Sequence, residues 1–166
     1  GQDFFPKEFG LPIKGIRGFK DILPGEVEKW QFVEGEARRI FGLFGFSELR
    51  IPILERTELF SRSIGESSDI VGKEMYTFPD RDGGSLTLRP EATTSIMRAY
   101  LEHNLYLKEP VGKYYFIGPM FRYERPQKGR YRQFHQIDVE ILGVQEPQAD
   151  AEILVISRWP GGMKGV

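Results

Sequence analysis

Between Arg132 and Val144 the chain alternates polar and apolar side chains, and this stretch constrains the fold more than any other. Ile137, Val139 and Ile141 share one parity, and Gln136, Asp138 and Glu140 share the other. Successive side chains of a strand point to opposite faces. The segment therefore reads as a long strand with one packing face and one face of amide and carboxylate groups. The preceding stretch, Met120 to Glu124, reads as a second strand. In it Arg122 and Glu124 share one parity, and Phe121 and Tyr123 the other. If the two strands pair, their apolar faces coincide, and Arg122, Glu124, Gln136 and Glu140 stand on one surface of the sheet. His135, on the apolar parity, reads as a core residue with no catalytic role, and His103 reads as structural.

Two readings of that surface stay open at this level. Antiparallel sheets commonly leave one face solvated and polar, and ordinary surface residues would look the same. The density of opposed charges favours a site, as does the loop joining the strands. That loop carries Arg125, Lys128, Arg130 and Arg132 around Tyr131. Arginine offers a planar fork to phosphate oxygens and lysine a point charge, although a solvated basic hairpin tip would have the same composition. A similar ambiguity attaches to Leu88-Arg89-Pro90-Glu91-Ala92-Thr93, where a strand gives way to a helix. An acid in the first turn of a helix is favoured by the helix dipole. The same Glu91, with the Thr93 hydroxyl, also suits an ammonium group.

The rest of the chain supplies a framework. Val27, Trp30, Val33, Ala37, Ile40, Phe41 and Phe44 recur at helical spacing, after an extended Gly- and Pro-rich arm. Glu48 to Ile53 alternates as a half-buried strand, in which Pro52 requires an edge or an unusual neighbour. A short helix is expected over Glu58 to Ser63. A hairpin is expected from Lys73–Phe78 and Ser85–Leu88. Next come a helix after Pro90 that buries Ile96, Met97, Tyr100 and Leu101, and a strand over Lys113–Ile117 broken by Gly118-Pro119. A last helix is expected from Asp150 to Trp159. Hairpin-joined strands with flanking helices predict an α+β fold with a largely antiparallel sheet.

Composition narrows the chemistry. The 166 residues suit one domain, and 40 % hydrophobic residues suffice for a core. The absence of cysteine excludes disulfides and thiolate chemistry, and two histidines are too few for most transition-metal sites. A net charge of −1 means that any nucleic-acid contact comes from a local patch. No apolar run reaches the length of a membrane span, so the expectation is a cytoplasmic protein. Neither a GxGxxG nor a P-loop pattern occurs.

The run Phe121-Arg122-Tyr123-Glu124-Arg125-Pro126-Gln127-Lys128-Gly129-Arg130-Tyr131-Arg132-Gln133-Phe134-His135-Gln136 resembles the second signature motif of class II aminoacyl-tRNA synthetases, in its histidyl-specific form. Leu86-Thr87-Leu88-Arg89-Pro90-Glu91 resembles the segment that precedes it. The helix ending near Phe44 and the strand through Pro52 are similar to the first motif, which builds a dimer interface. The likeness runs from Gly15 to about Trp159. It implies the class II synthetase-like antiparallel sheet flanked by helices, and a reaction in which histidine attacks the α-phosphate of ATP before transfer to tRNA(His). Mg²⁺ would bridge the phosphates. On this resemblance Arg122 is the catalytic residue at the α-phosphate, and Arg122, Glu124 and Arg130 bind ATP. Glu91, Thr93, Gln136 and Glu140 bind histidine, Glu91 and Gln136 at the α-amino group and Glu140 at the imidazole. Arg125, Lys128 and Arg132 contact tRNA or phosphate, and no residue binds a metal. A homodimer forms through Val27 to Ile53.

Two positions depart from the pattern. Ala92 stands where many relatives have glycine, and the family supplies no role for Asp138. Residues 1–166 read as a partial catalytic domain holding the first and second motifs. They lack the third motif and the anticodon-binding domain, so that histidine activation by the chain alone is expected to be weak or nil. Three rivals remain at this stage. One is the non-catalytic regulatory subunit of ATP phosphoribosyltransferase, another a synthetase-like domain sensing uncharged tRNA, and the third a structural dimerisation domain.

Overall fold

The computed structural model describes residues 13–64, 74–125, 130–144 and Ile153. Helix α1 (Val27–Leu43) follows the turn at Pro24-Gly25-Glu26, and Glu28 in its first turn accepts a hydrogen bond from the Gly25 N–H at 2.7 Å. Strands β1 (Ser47–Glu48) and β2 (Leu54–Arg56) come next, followed by helix α2 (Thr57–Ile64), strands β3 (Thr77–Pro79) and β4 (Ser85–Leu88), and helix α3 (Thr93–Glu102). The chain then enters two long strands, β5 (Gly112–Phe121) and β6 (Gln133–Leu142). The helix expected over Asp150–Trp159 lies outside the described residues apart from Ile153, which is helical.

Two three-stranded sheets result. In the first the order is β1-β5-β6, with β1 parallel to β5 and β6 antiparallel to it. In the second the order is β2-β4-β3, all antiparallel. The register of the long pair sets Gly118 opposite Gln136, Phe116 opposite Asp138 and Tyr114 opposite Glu140. Residues of odd number on this pair face α1. Ala37, Ile40 and Phe41 pack there on Tyr115, with Ile117, Ile137, Val139 and Ile141 around them. Burying a side chain of this size contributes about 1.5–3 kcal/mol, so the helical stripe and the strand alternation stabilise each other. His135 lies on the same face, its ring 4.9 Å from that of Trp30.

Residues of even number face α3. Ala92 and Ile96 cover Phe116 and Met120, with Ile51, Phe134 and Leu142 beside them. The polar face read from the sequence is therefore polar only along the middle of β6 and is apolar elsewhere. Helix α3 also reaches the second sheet, where Arg98 pairs with the buried Glu55 of β2 at 2.7 Å.

Four local expectations are corrected. The strand expected over Glu48–Ile53 divides into β1 and β2, with an irregular crossing between the sheets. At that crossing the buried Arg89 donates to the carbonyls of Ile51 and Pro52, so the polar groups near Pro52 are satisfied without a ladder. The break expected at Gly118-Pro119 is absent, because β5 runs straight through it. The carbonyl of Tyr115 faces Leu49 and that of Pro119 faces Arg89, both away from β6. Pro119 shares their parity, so its missing N–H costs the β5–β6 ladder nothing. The strand expected to reach Glu124 ends at Phe121, where the Arg122 N–H to Arg132 C=O bond closes the pairing. On α3, Ile96, Ala99 and Tyr100 are buried, whereas Met97 and Leu101 are exposed beside α2.

Gly118 has no room for a side chain. A Cβ there would come within 2.6 Å of the Phe116 ring and 3.2 Å of an Arg89 guanidinium nitrogen. Phe116 is fully buried and Arg89 is fixed by hydrogen bonds, so neither can yield cheaply. Gly118→Ala is expected to destabilise the chain by about 1–3 kcal/mol, the range for an overpacked interior. A urea-denaturation midpoint unchanged from wild type would show that the ring and guanidinium can move aside.

Candidate functional site

The site forms where the start of α3 meets the even-numbered face of β5 and β6. Thr93, the first residue of α3, donates its hydroxyl to Glu140 Oε1 at 2.6 Å. The Glu91 carboxylate accepts the Thr94 N–H at 3.0 and 3.3 Å, the capping contact read as one possibility from the sequence. Arg122 Nε donates to the carbonyl of Pro90 at 2.8 Å, and its guanidinium lies 5.2 Å from the Phe134 ring centre. The segment Arg89-Pro90-Glu91 is thus held between β4 and α3 and touches both the core and the site. Gln136 Nε2 contacts Asp138 Oδ1 at 3.5 Å, the outer limit for a hydrogen bond.

The titration of the carboxyls follows from this neighbourhood. Burial, followed by the charges of Glu140 and Glu91, pushes the Asp138 carboxyl up to about 6, and the Arg122 guanidinium works against that rise. Burial also raises Glu140, while the Thr93 hydroxyl bond lowers it and Glu91 raises it further. Arg122, Glu91, Thr93, Gln136, Asp138 and Glu140 therefore line one side of the sheet. The expectation that Arg122 and Glu140 share a face holds in the geometry.

The loop residues are placed differently. Glu124 lies past the end of β5 and pairs with Arg130 at 3.8 Å. The Arg130 side chain is 68 % exposed. Arg125 is exposed, and Lys128 lies outside the described residues. Arg132 is drawn inward. Its guanidinium stacks 4.0 Å over Tyr123, its Nε donates to the Glu124 carbonyl at 3.2 Å, and its backbone N–H donates to Gly18 at 2.7 Å. In this arrangement Arg132 shapes the base of the loop.

Arg89, to which the sequence reading gave no role, is buried where the two sheets meet. Arg89 holds three backbone carbonyls and lies 4.7 Å from the Phe116 ring centre. Nothing in the sequence distinguishes it from an exposed arginine, apart from its place between a strand and a proline. Asp138 was legible by parity, lying on the same face as Gln136 and Glu140.

An α+β sheet with a helix N-terminus and an arginine over a carboxylate-bearing strand is the architecture of the class II synthetase catalytic domain. A family model described as histidyl-tRNA synthetase matches residues 18–158, and the chain belongs to that family. It is 63 % identical over 144 residues to the histidine–tRNA ligase of Geobacter metallireducens, covering 87 % of this chain and 35 % of the relative. The figure is 64 %, with the same coverage, for that of Geobacter sulfurreducens. The crystal structure of apo S. aureus histidyl-tRNA synthetase superposes with a TM-score of 0.73 at 39 % identity, over 88 % of this chain and 33 % of that one. The chain spans about a third of the length of the relatives it matches. Among the described residues no helix is long and apolar enough to cross a membrane.

Proposed function

We propose that this chain carries the histidine- and ATP-receiving part of a histidine–tRNA ligase, a partial catalytic domain with the first and second class II motifs. The observation that supports this most is the shared surface of Arg122, Thr93 and Glu140. A guanidinium and acceptors for an amino acid meet there without an intervening strand. The histidine carboxylate attacks the α-phosphate of ATP, and pyrophosphate leaves. The nucleophile is already an anion, so no general base is required. Positioning and neutralisation of the charge developing on phosphorus supply the acceleration. Arg122 offers that neutralisation from its station on the Pro90 carbonyl. Arg130 and Glu124 border the nucleotide, Glu91 and Gln136 receive the α-ammonium, and Glu140, oriented by Thr93, accepts from the imidazole. The histidyl group then passes to the terminal ribose of tRNA(His), with Arg125 and Lys128 toward the phosphates. Arg132, assigned to the same contact, contributes chiefly by fixing the loop.

Mg²⁺ enters with ATP as the counter-ion of its phosphates. When bound, the ion would supply charge neutralisation at the phosphates. The homodimer through Val27 to Ile53 and the cytoplasmic setting belong to the same reading. The relatives described above carry the ligase name, and the regulatory-subunit reading is set aside on that ground.

The test is titration of the 166-residue chain with histidine and with Mg·ATP, followed by amide chemical shifts. Glu140→Gln is expected to weaken histidine about tenfold and to leave ATP within twofold. Arg122→Ala is expected to do the reverse, each removing one charge-assisted contact. Loss of both ligands in both variants, or of neither, would defeat the assignment.

A further inference from the structure

We propose that Asp138 is an additional substrate-binding residue, whose free carboxyl oxygen, together with the amide oxygen of Gln136, accepts N–H groups from the α-ammonium of the incoming amino acid. The proposal rests on the histidine-site reading above and adds a residue to which the family resemblance gives no role.

The case begins with hydrogen-bond accounting. Asp138 Oδ2 and Gln136 Oε1 are both buried from solvent, and neither has a hydrogen-bond partner among the described residues. Buried polar oxygens are normally satisfied, and each one left unsatisfied costs on the order of 1–3 kcal/mol. Two such oxygens lie on adjacent residues of one strand face, and they are joined by the 3.5 Å contact of Gln136 Nε2 with Asp138 Oδ1. That contact directs the Gln136 N–H₂ toward Asp138 and leaves the amide oxygen as an acceptor. The pair lacks donors and has no shortage of acceptors.

The surroundings set the type of donor. The groups facing Asp138 are Glu140 on its own strand, Glu91 ahead of α3, and Arg122 past the end of β5. Three carboxylates and one guanidinium give this face of the sheet a negative surplus. Arg122 has its Nε engaged with Pro90 and its plane against Phe134. Glu140 is already bonded to Thr93, and Glu91 to the Thr94 N–H. Asp138 is the carboxylate with an oxygen that is both buried and unpartnered, and it would share the ammonium with Glu91, whose two oxygens have only one N–H donor between them. The matching ligand group is a compact cation with several N–H donors, and an ammonium supplies three. The raised titration of Asp138 agrees, because a cation arriving beside it would return the carboxyl to its ionised form.

The experiment compares L-histidine with imidazole-4-propionic acid, which is histidine without its ammonium, on the wild-type chain and on Asp138→Asn, Asp138→Ala and Glu140→Gln. Amide chemical shifts report both affinity and folding. Both Asp138 variants are expected to weaken histidine about tenfold and to leave the ammonium-free analogue within twofold. Glu140→Gln is expected to weaken both ligands, because it acts on the imidazole. Equal weakening of the two ligands by the Asp138 variants, or none, overturns the Asp138 assignment and leaves the histidine site standing. Failure of the wild-type chain to bind either ligand overturns the site reading and this proposal together.

Discussion

Arg89→Met is expected to lower the unfolding free energy of the chain by about 3–5 kcal/mol, the range for breaking a buried charged hydrogen-bond set. Arg89 is 3 % exposed and lies at the junction of the two sheets. It donates to Pro119 of β5 at 2.9 Å, and to Ile51 and Pro52, where the chain crosses from one sheet to the other. Its own carbonyl accepts the Phe121 N–H at 3.0 Å. Methionine fills a similar volume and leaves three carbonyls without this donor, that of Ile51 buried and those of Pro52 and Pro119 partly so. Burial lowers the proton affinity of the guanidinium, and Glu55 opposes that shift. Lysine at this position is expected to recover less than half of the loss, since one ammonium cannot reproduce the planar fork. Domains of this kind are stable by 5–15 kcal/mol as a rule, so the methionine variant approaches the unfolding threshold. Urea denaturation measures the change directly. A loss below about 1 kcal/mol would mean that water or a shifted backbone replaces the arginine.

Asp138→Asn is expected to raise stability above neutral pH by on the order of 2 kcal/mol, and to have no effect below pH 4. The folded carboxyl titrates near 6 against an ordinary value of 3.8. A folded pKa above the unfolded one stabilises the native state while the group is protonated in both states. That contribution is lost as pH rises between about 4 and 6. The shift corresponds to about 3 kcal/mol at 1.36 kcal/mol per unit, and part of the carboxyl is reached by water, which reduces the figure. Asparagine removes the charge and its cost together. Thermal unfolding of both proteins from pH 4 to 8 should give curves that coincide at the acid end and diverge toward the alkaline end. Parallel curves would show that the carboxyl is ionised throughout. A gain in stability with a loss of histidine affinity is the pattern of a residue kept for binding at a cost to the fold.

The long strand was legible because one parity of β6 is aliphatic and packs on α1, and a one-residue slip of register would turn Ile137, Val139 and Ile141 away from that helix. The stripe of α1 was legible for the same reason. Other features depended on partners distant in sequence. Gly118-Pro119 reads locally as a stop, and only the direction of the Pro119 nitrogen in the finished sheet makes it harmless. The alternation of Glu48–Ile53 is real, but the arginine that takes the Ile51 and Pro52 carbonyls lies nearly forty positions later. Met97 and Leu101 fit a helical stripe as well as Ile96 and Tyr100 do. The position of the sheet beneath α3 decided between them. Of the site, the shared face was legible from parity, and the identity of its unsatisfied oxygens was not, because satisfaction is a property of the assembled neighbours.

Gly18 has a positive φ of 90°, and its carbonyl accepts the backbone N–H groups of both Arg132 and Gln133. A methyl group there would strike the Arg132 side chain at 2.7 Å. The mouth of the β5–β6 hairpin is thus fastened by residues from the opposite end of the described chain. During synthesis those early residues must wait for the late ones before the fastening can close. Joining points so distant in sequence carries a loop-closure entropy cost that local contacts do not. The end of β6 nearest the basic loop is thus tied to a residue far earlier in the sequence, and a change at Gly18 would be felt there.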